Sequence, residues 1–332
     1  MFHMNNPKIR YALAPMAGYT DISFRRICAS FGADYVVSEM ISAVAMTMGD
    51  KKTASLAAIA EGEAPVVLQL FGHDPAVMAK AADMLLSGNY HGCSYAAKPA
   101  GIDINMGCPV KKIVTSGDGS ALMKNPELAG RIIASVKNVC LSYGVPLSVK
   151  FRLGWDESSI NAAEFAENAA RNGADRLTLH TRTREQMYAP SARPEYAAEV
   201  IKNLREKGLS TPLCGNGDID APKAAMNYIH AGCDEAAIGR AALGNPWIFS
   251  HLKSPETFTP PTPAEIIDLI LRFVEDTVRE KGEVTGIRES RGRAAHFLKG
   301  MRGAAKIRDQ LNHADTFGQF EGILRSMEIE SV

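Results

Sequence analysis

Cys108 stands in a setting that suits proton transfer. It follows Asp103-Ile104-Asn105-Met106-Gly107 and precedes Pro109-Val110-Lys111-Lys112. Pro109 stiffens the chain just past the sulfur. A free thiol has a pKa of about 8.5, so near neutral pH it still holds its proton. Such a group can act as a general acid toward a carbanion-like centre. A lone cysteine is more often a small buried hydrophobe. Cys28, Cys140, Cys214 and Cys233 read that way, and Cys93 reads as a loop thiol.

Two cationic runs follow. In Lys150-Phe151-Arg152, alternation along a strand puts both cations on one face. Inward cations need either an ion pair, with Glu39 or Asp103, or an electron-rich ligand. A flavin ring is such a ligand, because a cation near N1 and O2 stabilises its reduced form. In His180-Thr181-Arg182-Thr183-Arg184 the same alternation would set His180, Arg182 and Arg184 on one side, if the strand runs that far. His180 can donate to a ring carbonyl. The arginines suit phosphate or base edges.

Two loops complete the set. Asn216-Gly217-Asp218 and Gly239-Arg240 fall at consecutive strand ends by pattern. Backbone N–H groups and a helix N-terminus at such ends hold phosphate. Together they point to a phosphate-bearing cofactor such as FMN. Near the start, Ala14-Pro15-Met16-Ala17-Gly18 offers small residues against which a flat ring can lie, and Thr20 or Asp21 can cap the next helix.

The elements that must position these residues alternate. Apolar runs recur at Tyr11–Ala17, Tyr35–Met40, Val66–Gly72, Gly101–Gly107, Leu147–Leu153, Arg176–Arg182, Pro212–Asp218 and Glu235–Arg240. Several are continuous, as in strands buried on both faces. Helical periodicity marks Pro126–Tyr143, Ile160–Asn172, Glu195–Lys207 and Ala221–Ala231, with Gly173, Gly208 and Gly232 as C-caps of the last three. The alternation predicts an α/β fold, a (β/α)8 TIM barrel over residues 1–252. Polar residues and glycines gather at the strand ends, and a barrel collects them on one face, where an open sheet would spread them along a line. The prolines of 253–263 mark a linker. Residues 264–332 predict a small all-helical domain, with one helix opening at Ala264 and a second stretch over Ser290–Leu311.

The chain has 332 residues, zero formal net charge and 46% hydrophobic residues, an ordinary globular composition. No apolar run is long enough to span a membrane, and Met1–Arg10 lacks the core of a signal peptide. The six cysteines form no CxxC pair, so no metal or disulfide framework is expected, and a reducing cytoplasm fits. Charge is uneven, however. Between Arg279 and Arg308 nine Lys and Arg face three Glu, a local excess of six that by itself reads as a solvated helix face and becomes a phosphate-binding patch if the barrel acts on RNA.

These motifs together closely resemble the bacterial tRNA-dihydrouridine synthases, nearest the B-type subgroup, from Ala14 to about Ile323. His-Thr-Arg-Thr-Arg-Glu-Gln, Asn-Gly-Asp-Ile and Gly-Arg-Ala-Ala-Leu-Gly-Asn-Pro-Trp-Ile-Phe add to the specificity. The resemblance implies FMN as cofactor, NADPH as reductant and tRNA as substrate, with reduction of the C5–C6 bond of uridine. It implies that Pro15, Met16 and Ala17 line the flavin, that Gln69 and Lys150 contact its ring with His180 close by, and that Asn216, Gly217, Asp218, Gly239 and Arg240 hold the ribityl chain and phosphate. It makes Cys108 the proton donor and turns Asn105, Arg152, Arg182 and Arg184 toward substrate. The expected state is a cytoplasmic monomer without metal or membrane contact.

Three departures stand out. Tyr90–Pro99 is longer than the pattern expects, Ala189-Pro190-Ser191-Ala192 replaces a glycine-containing turn, and Cys214 precedes Gly215-Asn216. The first two are expected near the substrate face. The rival enzyme is an FMN barrel acting on a free pyrimidine, similar to dihydroorotate dehydrogenases. A different kind of rival is a non-catalytic RNA chaperone. The basic tail and Lys111-Lys112 argue against the first, and Cys108, Lys150 and His180 against the second.

Overall fold

The computed structural model describes residues 9–327. Residues 1–8 and 328–332, which belong to the N-terminal and C-terminal segments considered above, lie outside the described residues. Eight parallel strands close into a barrel in chain order. They are β1 Arg10–Leu13, β2 Tyr35–Ser42, β3 Val66–Phe71, β4 Gly101–Met106, β5 Leu147–Arg152, β6 Arg176–His180, β7 Leu213–Asn216 and β8 Glu235–Ile238. Around them run α1 Ile22–Ser30, α2 Ala43–Thr47, α3 Lys51–Ser55, α4 Pro75–Ser87, α5 Lys111–Thr115, α6 Pro126–Tyr143, α7 Ala162–Arg171, α8 Glu195–Glu206, α9 Pro222–His230 and α10 Ile248–Lys253. The fold is the TIM barrel expected from the alternation.

The strands are buried on both faces; the outer face is apolar throughout, and the inner face is apolar around β1, β2 and β8 but polar around β4 to β6. In β4, Ile102, Ile104 and Met106 pack outward against the helices, while Asp103 and Asn105 turn in. In β5, Leu147, Val149 and Phe151 turn out, and Ser148, Lys150 and Arg152 turn in. Register carries this around the barrel. Asp103 lies beside Ser148, Ser148 beside Arg176, Arg152 beside His180, and His180 beside Asn216. Polar residues therefore stack in layers inside the barrel, and the upper layer forms the floor of a cavity.

Several strands stop short of the sequence pattern. β1 ends at Leu13 because Pro15 has no N–H for the ladder. β6 ends at His180, so its alternation never reaches Arg182 or Arg184. Helix ends follow capping chemistry more closely. α6 starts at Pro126, with Asn125 accepting from the Leu128 N–H at 3.1 Å, and stops before the left-handed Gly144. Gly173, Gly208 and Gly232 have positive φ, yet stand one residue past the caps Asn172, Lys207 and Ala231.

The C-terminal segment is all helical: α11 Pro263–Lys281, α12 Glu283–Phe297, α13 Ala304–Leu311 and α14 Phe317–Arg325. Lys253 closes α10, and Pro263 is the first residue of α11 behind a Thr262–Glu265 capping box. The proline-rich connection is thus 254–262. Ser290–Leu311 is not one helix. A turn with Gly300 and Gly303, φ 88° and 78°, divides it. One continuous apolar cluster joins the barrel helices to α11–α14.

Tyr90–Pro99 sits away from the expected face. It connects α4 to the N-terminal end of β4, and the cavity lies at the C-terminal ends. Ser94 O accepts from Ile59 N at 2.9 Å and Ile59 O from Ala96 N at 2.8 Å. None of its residues lines the cavity.

Candidate active site

A cavity of about 490 Å³ opens at the C-terminal ends of the strands, within the range of small-molecule sites. Ala14, Met40, Gln69, Asn105, Lys150, His180, Asn216 and Ala237 bring all eight strand ends to its wall. Pro15, Met16, Ala17, Gly217, Asp218, Gly239 and Arg240 join them, as do Cys108 and Arg152. Arg182 and Arg184 do not.

Cys108 is held by its backbone. Its N–H donates to Asn105 Oδ1 at 2.9 Å, and its carbonyl accepts from Ser120 N at 3.1 Å and Ser120 Oγ at 2.9 Å. Burial raises the thiol pKa, outweighing the Val110 N–H and the charges of Arg152 and Lys150. Cys108 therefore keeps its proton at neutral pH. Cys28, Cys140, Cys214 and Cys233 are buried, as expected of small hydrophobes.

The cations differ in their engagement. Lys150 Nζ donates to Asn216 Oδ1 at 2.8 Å. Burial, then Arg152, lowers its pKa to about 8, so an anionic ligand beside it would restore a firm ammonium. Arg152 donates to the carbonyls of Gly107, Thr183 and Met187 at 2.8, 2.9 and 3.1 Å. It staples the loops after β4 and β6. His180 is neutral, since burial and the Arg152, Lys150 and Arg182 charges hold its pKa well below the usual histidine value. Its buried Nδ1 has no protein partner.

The loops after β7 and β8 form the phosphate-ready end. Among the described residues the N–H groups of Gly217, Asp218, Gly239 and Arg240 meet no protein acceptor. Gly217 has φ 132°, and a Cβ there would come within 2.8 Å of Ala192 Cβ. Asp218 is balanced by Arg182 and by Arg240, the latter at 2.8 Å. Free N–H groups at one end and an unpartnered imidazole with a poised lysine at the other fit a flavin nucleotide.

Arg182 and Arg184 take supporting places. Arg182 is 2% exposed, pairs with Asp218 and donates to Pro190 O. The Arg184 guanidinium lies 4.6 Å from the Trp155 ring centroid. Sequence reasoning missed Met40, Ser120 and Tyr188. Tyr188 lines the mouth, is 54% exposed and carries Arg240 over its ring at 4.7 Å. An exposed tyrosine just past the Arg-Glu-Gln run was the available signal.

The basic tail also sorts itself. Arg279 pairs with Asp276, Lys281 and Arg293 with Asp21, and Arg291 with Asp315. Only Lys281 and Arg293 meet a buried carboxylate; the pairs of Arg279 and Arg291 lie at the surface and contribute little. Arg288, Lys299, Arg302, Lys306 and Arg308 are exposed.

Comparison with known proteins identifies the family. The sequence profile of the family described as Dihydrouridine synthase matches residues 12–329. A probable tRNA-dihydrouridine synthase of Treponema pallidum (strain Nichols) is 32% identical over 318 residues, covering 94% of this chain and 91% of its own length. The tRNA-dihydrouridine synthase B of Xanthomonas axonopodis pv. citri (strain 306) is 37% identical over 315 residues, covering 93% of this chain and 89% of its own. Among solved structures, a 2-naphthoyl-CoA reductase complex superposes with a TM-score of 0.53 at 12% identity, over 74% of this chain and 50% of that one, a likeness of fold alone.

Proposed function

The chain belongs to the dihydrouridine synthase family, and from that premise we propose that it is a B-type tRNA-dihydrouridine synthase, reducing the C5–C6 bond of uridine in tRNA with bound FMN and NADPH. The observation that carries this reading is a protonated, anchored Cys108 sharing one cavity with Lys150, His180 and the free N–H groups after β7 and β8.

When bound, FMN supplies the hydride for C6 of the uracil. The chain supplies the rest. Cys108 Sγ gives its proton to C5. Gln69, Lys150 and His180 hold the ring, with Pro15, Met16 and Ala17 as its wall. Gly217, Asp218, Gly239 and Arg240 hold the phosphate end, beside Asn216. Asn105 and Arg152 shape the substrate side. Arg182 acts through Asp218, and Arg184, stacked on Trp155 outside the cavity lining, supports the loop after β6. A uridine inside folded RNA must leave its stack to reach such a site. Tyr188, exposed at the mouth, offers a surface for it or its neighbour.

Purified protein should be yellow and release FMN, not FAD, on denaturation. Reduced protein should be reoxidised by tRNA and not by free orotate. FAD, no flavin after reconstitution, or turnover of orotate would overturn the reading. Lys150→Ala should weaken flavin retention roughly ten- to a hundredfold, the size of a charge-assisted hydrogen bond.

The helices α11–α14 provide the RNA-binding unit. Lys299→Glu, Lys306→Glu and Arg308→Glu combined should weaken tRNA binding and flatten its salt dependence, by close to one unit of log–log slope for each phosphate no longer neutralised. Flavin content should stay unchanged. If binding at several salt concentrations matched the unsubstituted protein, this surface would not carry the RNA.

A further inference from the structure

Below the cavity floor one carboxylate fixes the direction of two amides in series. Asp103 is 3% exposed. It accepts from Ser148 Oγ at 2.5 Å and from Gln69 Nε2 at 2.7 Å. Gln69 Oε1 accepts from Asn105 Nδ2 at 2.8 Å. Asn105 Oδ1 then accepts from the N–H groups of Gly107 at 3.2 Å and Cys108 at 2.9 Å. Arg176, in the same layer, pairs with Glu235 instead.

A carboxylate only accepts, whereas a primary amide has a donor end and an acceptor end. Asp103 therefore requires Gln69 to present its NH2 group. The Gln69 oxygen must then face Asn105, which answers with its own NH2. The Asn105 oxygen is left facing the two N–H groups of the Cys108 loop. Reversing either amide would set like against like in a buried site and leave its hydrogen bonds unmade. Gln69 Nε2 keeps one further hydrogen, whereas the second hydrogen of Asn105 Nδ2 already reaches Met40 Sδ at 3.9 Å, and both residues line the cavity. A ligand there meets a free donor from Gln69, and one from Asn105 only in exchange for the Met40 sulfur.

We infer that Asp103 is a positioning residue, which sets the polarity of Gln69 and Asn105 and through Asn105 anchors the Cys108 loop. Its catalytic consequence rests on the proposed role of Cys108. Its geometric consequence does not.

Two variants separate direction from charge. Asp103→Asn can keep the series, because its oxygen can face Gln69 while its NH2 donates to the Ser148 hydroxyl. Asp103→Leu cannot. The first readout uses flavin-free protein carrying Cys93→Ser, since the other thiols are buried. Reaction of Cys108 with iodoacetamide, mapped by peptide mass, should quicken about fivefold or more in Asp103→Leu and stay within about twofold in Asp103→Asn. The second readout is reoxidation of the loaded, reduced protein by tRNA. It should fall roughly five- to a hundredfold in Asp103→Leu and recover in Asp103→Asn. If Asp103→Leu fails to fold, Gln69→Met breaks the series one link on and should quicken alkylation likewise. Unchanged alkylation in a folded Asp103→Leu or Gln69→Met protein overturns the inference. So does an Asp103→Asn protein as impaired as Asp103→Leu, which would mean that charge matters and direction does not. Failure of the unsubstituted protein to be reoxidised by tRNA would count against the proposed function, and alkylation would still decide the role of Asp103.

Discussion

Cys108→Ala should bind FMN, accept hydride from NADPH at a near-normal rate and still bind tRNA, yet lose reoxidation by tRNA. The two half-reactions have different needs. Reduction by NADPH requires no acid from the protein, whereas saturation of a C5–C6 bond requires one proton at C5. The loss should be that of a missing general acid, roughly a hundredfold to ten-thousandfold. Cys108→Ser should recover little, because an alcohol is a far weaker acid than a thiol. Since burial raises the thiol pKa, the alkaline limb of reoxidation should lie above the ordinary thiol range. Stopped-flow rates for each half-reaction decide the matter. Equal slowing of both halves would mean that Cys108 shapes the flavin site. Full reoxidation in the alanine variant would move the acid role elsewhere. The substitute would be Lys150, lowered to about 8 by burial and Arg152, rather than His180, which is already neutral.

The barrel was legible in the sequence because its outer strand faces are apolar, and because strand ends carry residues that a fold must gather or neutralise. Most cavity-lining residues were legible for the same reason. Pattern fails where a side chain's partner lies far along the chain. Arg182 looks like a ligand-facing cation until the loop bearing Asp218 comes against it. Ser120 gives no local sign that its hydroxyl meets the Cys108 carbonyl. Asp103 looks like one of many strand carboxylates, because alternation predicts that it faces inward but not that it meets Gln69. Tyr90–Pro99 lies on the face opposite to expectation because it leads into β4 and so serves the N-terminal end of that strand, whereas the cavity lies at the C-terminal ends. The tail shows the same limit. Nine cations in thirty residues read as one patch, and only three-dimensional packing shows which of them meet Asp21, Asp276 or Asp315.

Arg293→Glu should therefore harm flavin retention as well as fold stability, which a mere RNA contact would not. Arg293 is 11% exposed and lies 2.6 Å from Asp21, itself 10% exposed. It also donates to Gly18 O at 2.8 Å. Asp21 caps α1 by accepting from the Phe24 N–H at 3.2 Å, and Lys281 is its second cation at 2.6 Å. The same loop supplies Pro15, Met16, Ala17 and Tyr19 to the cavity wall. Nearby, α12 seats against Gly244, whose φ is 71° and where a Cβ would lie 2.3 Å from the His296 carbonyl carbon. Arg293 thus clamps the helical segment onto the wall of the cavity. Breaking a buried pair costs about 3–5 kcal/mol, and a glutamate facing Asp21 adds repulsion. Asp21→Asn keeps the cap and leaves Glu289 to answer Lys281 at 2.5 Å and Arg293 at 3.7 Å, so it should be harmed less. The sign with pH follows from Asp21. Burial alone would raise its pKa, but Arg293 and then Lys281 more than offset that and lower it. A lowered folded pKa contributes stability above the unfolded value and loses it as pH falls through the folded one. The gap between Arg293→Glu and the unsubstituted protein should be full at neutral pH and close in acid. Denaturant unfolding across pH, with flavin release measured on the same samples, tests this. Normal stability and flavin retention alongside weakened tRNA binding would make Arg293 an RNA contact and leave the clamp to Lys281 alone.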